Sequence, residues 1–291
     1  METPSHLPDT TGKQDDNKDS GRGPRLREIP LRLVVPNLIT VLAICAGLSG
    51  VRLAFEDRFE LAVGMVLLAA FLDGIDGRVA RMMKATSKFG AQMDSLADIV
   101  NFGVAPALVL YSFVLDQAHS LGWIAVLIYV IAAGLRLARF NVMIDREIKA
   151  KWQTEFFVGV PAPMGALLVL LPVYLVFVGV PMTATFAYAA SAYTMLIGYL
   201  LISRLPIWSG KSENSRIRRD MVLPMILIVV LYVTLLMSFT WEVLVVTVAA
   251  YLIFLPFSAR LWHRRYGTLT IVDETADDVV PDGTSDMDRG L

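Results

Sequence analysis

Apolar residues run in blocks of roughly membrane length along most of this chain, and polar residues collect in the gaps. Eight blocks can be drawn, at 33–54, 59–83, 89–115, 121–143, 159–179, 184–203, 220–238 and 241–260. A helix rises 1.5 Å per residue and a bilayer's hydrocarbon core is about 30 Å thick, so roughly 20 apolar residues cross it. The pattern predicts eight transmembrane helices in an all-α integral membrane protein. The third block is the least uniform. It carries Asp94, Asp98 and Asn101, and its polar half ends at Pro106.

The gaps orient the chain. Lys and Arg crowd the segment before the first block (Lys13, Lys18, Arg22, Arg25, Arg27, Arg32) and the gaps after the second (Arg81, Lys84, Lys88) and fourth (Arg146, Lys149, Lys151). They recur after the sixth (Arg204, Lys211, Arg216, Arg218, Arg219) and after the eighth (Arg260, Arg264, Arg265). Of the alternate gaps, the first holds only Arg58 and the other three hold no Lys or Arg. Cytoplasmic loops carry the excess of Lys and Arg, so both termini are expected in the cytoplasm, which an even number of spans requires.

Composition narrows the classes. Of 291 residues, 18% are charged, against about a quarter in a soluble domain. The single cysteine, Cys45, supports neither a disulfide framework nor a zinc site. His6, His119 and His263 are scattered, which argues against a histidine triad or a histidine-rich metal site. The first 30 residues lack an apolar core, which argues against an ordinary cleaved signal peptide. Residues 1–30 and 266–291 read as disordered polar tails, the second acidic. The basic residues at 216–219 are expected to set topology, with no nucleic acid as partner. Trp123, Trp208, Trp241 and Trp262 are expected as interfacial anchors.

Against this background four aspartates stand out: Asp73 and Asp76 in the second block, Asp94 and Asp98 in the third. A carboxylate at a helix centre costs about 2.5–3.5 kcal/mol on insertion scales, so four of them need a counter-ion or a task. Spacings of three and four place each pair on one helix face. Asp73 and Asp76 lie about 16 and 12 Å from the Lys84 end of their helix, and Asp94 and Asp98 about 9 and 15 Å from the Lys88 end of theirs. The short turn makes the two helices antiparallel neighbours, so both pairs arrive at similar depth. Facing carboxylates repel unless neutralised, and hard oxygen donors suit Mg²⁺, Mn²⁺ or Ca²⁺. Room for water and phosphate oxygens favours Mg²⁺ or Mn²⁺. Gly74, Gly77 and Gly90 let a substrate or a neighbouring helix approach the backbone. Arg81, one turn beyond Gly77, is placed to clamp a phosphate. Together these describe a diphosphate site.

The run Asp73-x2-Asp76-Gly77-x2-Ala80-Arg81-x8-Gly90-x3-Asp94-x3-Asp98 resembles the signature of the CDP-alcohol phosphotransferase family at all eight of its fixed positions. The resemblance covers about residues 33–205. It implies a six-helix CDP-alcohol phosphotransferase core, Mg²⁺ or Mn²⁺ dependence, a homodimer, and displacement of CMP from a CDP-linked lipid or alcohol by a hydroxyl. The domains expected are a catalytic membrane domain at 31–205 and two additional C-terminal transmembrane helices within 206–265. Within the family, the segments Asp94–Ala107, Gly134–Asn141 and Phe157–Pro163 resemble membrane-embedded bacterial phosphatidylserine synthases. Pro36-Asn37-Leu-Ile-Thr40 fits the family's first helix. That likeness implies CDP-diacylglycerol and L-serine as substrates, membrane lipids as surroundings, and an active site on the cytoplasmic face of a bacterial inner membrane.

By the same resemblance Asp73, Asp76, Asp94 and Asp98 are the metal site, with Asp98 also the general base. Asn37, Thr40, Asp73, Gly77, Arg81 and Ser87 bind the nucleotide and its lipid. Arg136 and Arg139 bind the serine carboxylate or the lipid phosphate. Other roles stay open: helix cap or polar interface for Asn37, Thr40 and Ser87, and snorkelling to headgroups for the two arginines. Two alternatives also remain. One is the same chemistry with glycerol 3-phosphate, inositol phosphate or choline as acceptor. The other is a cation transporter built on intramembrane carboxylates.

Overall fold

The computed structural model describes residues 31–84, 87–144, 156–203, 206–208 and 219–266. The expected tails, and the loop cations Arg146, Lys149, Lys151, Arg204, Lys211, Arg216 and Arg218, lie outside the described residues. In chain order the elements are α1 (Leu31–Phe55), α2 (Phe59–Met82), α3 (Lys88–Asp98), a π-helical segment (Ile99–Val104), α4 (Ala105–Phe113), a 3₁₀ turn (Leu115–Ala118) and α5 (His119–Ile144). Then come β1 (Phe156–Val158), α6 (Ala162–Val169), α7 (Leu171–Phe177), α8 (Ala184–Ile202), β2 (Pro206–Trp208), α9 (Arg219–Ser238) and α10 (Thr240–Tyr266). Helices dominate, as expected for a multi-pass membrane protein.

Among the described residues, six stretches are long and apolar enough to cross a membrane: Val34–Phe55, Lys88–Phe113, Leu115–Met143, Ala184–Ile202, Met221–Ser238 and Thr240–Ser258. Eight were expected, and the other two differ for separate reasons. α2 has the length but carries Glu60, Asp73, Asp76, Arg78 and Arg81. The fifth expected span is divided at Leu170 into two short helices.

That division and the π-helical segment share one device. Pro172 has no N–H to give the carbonyl four residues back, Leu168, and the Tyr193 hydroxyl of α8 fills that carbonyl at 2.8 Å. Pro106 likewise leaves the Phe102 carbonyl free, and the Tyr129 hydroxyl of α5 fills it at 2.9 Å. No water is at hand in a bilayer core to satisfy such a group, so a neighbouring helix must. The ladder slips here, with the Ala105 N–H reaching back to the Val100 carbonyl.

The core lies where α1, α4, α5, α7 and α8 pack, around Leu110, Leu115, Tyr129, Leu170, Tyr174 and Ile197, all fully buried. α1 packs along α2 and also reaches α3 and α4, whereas α2 and α3 touch each other over a shorter length. The expected α2–α3 pairing is therefore mediated in large part by α1. Gly50 permits the α1–α2 approach, since a Cβ there would lie 2.9 Å from the Ala62 carbonyl oxygen.

An aromatic chain runs through the opposite end of the bundle from the aspartates. Phe59 stacks on Phe113 (4.2 Å), Phe113 meets Phe177 (5.3 Å), and Phe177 meets Trp241 (4.4 Å). Trp241 thereby docks α10 on the other helices. By contrast, residues 221–235 of α9 are exposed throughout, an apolar surface suited to lipid.

The loops after α5 and α8 meet as a two-stranded antiparallel ribbon, with Phe157 opposite Ile207. Gly159, at its root, has φ +79°, and a Cβ there would lie 3.0 Å from the carbonyl oxygens of Leu201 and Ser203. Both the conformation and the close approach call for glycine.

Candidate active site

The aspartates converge as their spacing requires. Asp73, Asp76 and Asp94 each offer one carboxylate oxygen, and these oxygens all lie within 4.8 Å of one another. Asp76 is 3% exposed and is held from α1, where the Thr40 hydroxyl points at its Oδ2 (2.6 Å) and at the Pro36 carbonyl (3.1 Å). The other oxygen of Asp76, and Oδ1 of Asp73, are buried without a hydrogen-bond partner among the described residues. Orphaned buried oxygens and mutually repelling charges are both costly, and one divalent cation would relieve both.

The donor set fits a hard divalent ion. Oxygens bound to one octahedral ion at 2.0–2.1 Å lie at most about 4.2 Å apart. A cluster with all its oxygens within 4.8 Å is compatible with one such ion, or with two ions about 3.5–4 Å apart. The aspartates thus form a site able to bind divalent metal, and Asp94 sits on its exposed side.

Asp98 stands apart from this trio. Its carboxyl lies near that of Asp73 and within electrostatic reach of Arg136 of α5, with which it makes no ion pair among the described residues. It is half-buried one turn deeper than Asp94.

A cleft of about 200 Å³ opens between α1, α2 and α3 beside the carboxylates. Asn37, Thr40, Gly77, Arg81 and Ser87 line it with Asp76 and Asp94, whereas Asp73, also expected to hold the nucleotide, is not among its lining residues. The glycines divide in role. A Cβ on Gly77 would meet nothing within 4 Å, so its bare backbone faces open cleft. A Cβ on Gly90 would lie 3.1 Å from both Asn37 Oδ1 and Ser87 Oγ, so that glycine admits a neighbouring helix. Arg81 is exposed and makes no ion pair among the described residues. Ser87 caps α3, its Oγ accepting the Gly90 N–H at 3.0 Å. A cap uses only the oxygen, so the hydroxyl proton is left for a ligand.

The two arginines of α5 separate. Arg136 is half-buried, gives its Nε–H to the Val160 carbonyl (2.7 Å) and lies over the Phe140 ring (5.8 Å). Arg139 gives an Nη1–H to the Ile202 carbonyl (3.2 Å), at the carbonyl-rich end of α8. Neither lines the cleft. Arg136 is on the Asp98 side of the carboxylates, while Arg139 secures the end of α8. Asn141 of α5 donates to Ser95 of α3 (3.0 Å), tying the two helices beside the site. Sequence reasoning missed Val160, whose carbonyl aims Arg136. The Gly159-Val160-Pro161 string was the available signal, since its glycine and proline mark a constrained turn.

Comparison with known proteins follows the same outline. Residues 33–202 match the family model described as CDP-alcohol phosphatidyltransferase, and residues 220–256 match one described as CDP-alcohol phosphatidyltransferase 2. The chain is 45% identical over 186 residues to the CDP-diacylglycerol–serine O-phosphatidyltransferase of Mycobacterium leprae, covering 63% of this chain and 61% of that one. It is 50% identical over 133 residues to the protein so named in Mycobacterium tuberculosis, 46% of each chain. It is 33% identical over 171 residues to that of Methanocaldococcus jannaschii, 59% of this chain and 72% of that one. The aligned part thus spans about half to three-fifths of the length of the mycobacterial relatives.

Proposed function

The chain belongs to the CDP-alcohol phosphatidyltransferase family, and on that premise we propose that it is a phosphatidylserine synthase. It transfers the phosphatidyl group of CDP-diacylglycerol to the hydroxyl of L-serine and releases CMP. The observation that carries this reading is the convergence of Asp73, Asp76 and Asp94 beside a cleft lined by Asn37, Thr40, Gly77, Arg81 and Ser87. Asp98 as base and Arg136 of α5 as cation would serve an acceptor bearing both a hydroxyl and a carboxylate. The relatives named for serine transfer support the same acceptor.

Asp73, Asp76 and Asp94 would hold Mg²⁺ or Mn²⁺, with Asp98 at the edge of the site. Bound there, the ion supplies neutralisation of the diphosphate and of charge growing on the departing CMP. Arg81 clamps the diphosphate from the cleft mouth, and the bare backbone at Gly77 lets it approach. Asn37, Thr40 and the Ser87 hydroxyl complete the cytidine side. Asp98 takes the proton of the serine hydroxyl as its oxygen bonds to the phosphorus bearing diacylglycerol. The bond from that phosphorus to the bridging oxygen breaks, and CMP leaves with the bonding pair. Arg136 receives the serine carboxylate, and Arg139 the lipid phosphate at the end of α8.

The Lys and Arg asymmetry of the loops supports a cytoplasmic site and cytoplasmic termini in a bacterial inner membrane. Residues 31–205 form the catalytic domain and 206–265 the two additional helices, and the working unit is a homodimer. A cation transporter finds no support, because the carboxylate cluster sits at one end of the bundle beside a cleft that Arg81 lines.

Two results test this reading. Purified protein with CDP-diacylglycerol and Mn²⁺ or Mg²⁺ should release CMP with L-serine, and far more slowly with glycerol 3-phosphate, inositol phosphate or choline. Absence of serine-dependent release sinks the serine assignment. Gly77→Ala should move two quantities in opposite directions. Its methyl meets no protein atom, so the helix gains up to about 1 kcal/mol of propensity and the thermal midpoint holds or rises. The same methyl enters the cleft, so KM for CDP-diacylglycerol should rise about tenfold, an overpacking cost of about 1–3 kcal/mol transferred to the ligand. An unchanged donor KM would remove Gly77 from the binding wall.

A further inference from the structure

α3 carries Asp94, Asp98 and the Gly90–Ala91 part of the cleft wall, yet little packing fixes it. Of its eleven residues only Ala97 is buried, while Lys88, Phe89, Ala91, Gln92, Asp94 and Leu96 are exposed. It lies along α1 and the π-helical segment, touches α2 over a shorter length and packs scarcely at all on α5. Across that last gap runs a polar link. The Asn141 Nδ2–H of α5 donates to Ser95 Oγ at 3.0 Å, and the Ser95 hydroxyl donates in turn to the Ala91 carbonyl at 3.1 Å. α5 itself is firmly placed. Its Tyr129 hydroxyl holds the Phe102 carbonyl and its Arg136 Nε–H the Val160 carbonyl. Its backbone also lies close to α8, where a Cβ on Gly198 would stand 3.4 Å from Tyr129 Cα. A fixed helix thus reaches with one amide to a loosely held one. The reach lands on Ser95, next in the chain to Asp94 and one turn beyond Ala91.

On the metal reading above, on which this rests, we propose that Asn141 is a positioning residue of the metal site: through Ser95 it fixes the rotation of α3 about its axis and so the place of Asp94. Successive side chains leave a helix about 100° apart, so a tether on Ser95 acts beside Asp94 without entering the cleft. Side chains reach about 5–6 Å from a helix axis, and a turn of about 10° therefore carries a carboxylate through about 1 Å. Metal–oxygen distances hold to about 0.2 Å, so even a small turn of α3 takes Asp94 out of ligand range. The other two carboxylates are braced differently. α2 is packed along α1, and Asp76 is gripped there by the Thr40 hydroxyl. Asp94 is the exposed member of the trio, and the Asn141–Ser95 link is the brace beside it.

The test uses the full chain in lipid nanodiscs with Mn²⁺ alone. Binding is read from the electron paramagnetic resonance of the free ion, and stability from the thermal midpoint without metal. Asn141→Leu keeps the bulk and removes the donor, and should weaken Mn²⁺ binding about 10–100-fold, the usual scale for a residue that orients a metal ligand. Its metal-free midpoint should stay within about 4 °C of wild type, the scale of one hydrogen bond in a chain of this size. Ser95→Ala should match it. The double variant should bind no worse than the weaker single one, because both changes cut the same link. Ser95→Thr, which keeps the hydroxyl, should retain most of the affinity. A merely structural tie would instead lower the metal-free midpoint and leave Mn²⁺ affinity at the wild-type value. That result, or additive losses in the double variant, overturns the proposal and leaves the metal reading standing. A wild-type protein that binds no Mn²⁺ overturns both, and the wild-type arm alone reveals it.

Discussion

Asp76→Asn is expected to lower CMP release by about 10³-fold or more, since metal stabilisation of transition-state charge is worth several kcal/mol and each 1.4 kcal/mol is tenfold. Asn keeps the shape and can still accept from Thr40, so the change removes charge without removing the α1–α2 contact. Stability should respond with the opposite sign. Without metal, three carboxylates with oxygens inside 4.8 Å repel, and neutralising one should raise the thermal midpoint. With Mn²⁺ added, the wild-type midpoint should climb by mass action while that of Asp76→Asn stays nearly still. A graded comparison separates ligand from support. Thr40→Val leaves all three carboxylates and removes only the hydroxyl that orients Asp76, so a loss of about 10–100-fold is expected. If Asp76→Asn retained both activity and the Mn²⁺-dependent shift, the cluster would not be the metal site.

Much of this arrangement was readable before any coordinates. Expected block 59–83 became α2 at Phe59–Met82, and 184–203 became α8 at Ala184–Ile202, because apolar runs of bilayer length leave a helix little alternative. Spacings of three and four brought Asp73, Asp76 and Asp94 together, since those separations share a helix face whatever the neighbours are. What escaped depends on partners distant in sequence. Pro106 and Pro172 are visible in the chain, but whether each bends, slips or breaks its helix turns on Tyr129 and Tyr193 reaching the freed carbonyls across 27 and 25 residues. Arg136 and Arg139 share a face by spacing, and only the carbonyls of Val160 and Ile202 send them to different tasks. The short turn suggested that α2 and α3 pair directly. It could not say that α1 would pack on both and supply the hydroxyl for Asp76.

The same contrast assigns roles along one helix. Asp94 and Asp98 are one turn apart on α3, and their spacing alone makes them equivalent. In the structure Asp94 closes the trio and lines the cleft, whereas Asp98 belongs to neither the trio nor the cleft wall. On the proposed reading one carboxylate serves donor and metal, and the other the acceptor.

Asp98→Asn should therefore fail differently from Asp76→Asn. A general base contributes about 10²–10⁴-fold, so kcat should fall by that factor. Metal and donor binding should survive, because Asp73, Asp76, Asp94 and the cleft remain. The Mn²⁺-dependent rise in thermal midpoint and the KM for CDP-diacylglycerol should accordingly stay close to wild type. Serine binding should hold or tighten slightly, since removing the negative charge beside Arg136 frees the guanidinium for the acceptor's carboxylate. A collapse of kcat with preserved donor KM and preserved Mn²⁺ response marks a group that acts on the acceptor's proton. Loss of the Mn²⁺ response would instead make Asp98 a metal ligand like the other three. Wild-type kcat would leave the attacking hydroxyl without an assigned base, and a loose phosphoryl transition state that asks for little early deprotonation would then explain how the reaction proceeds without one.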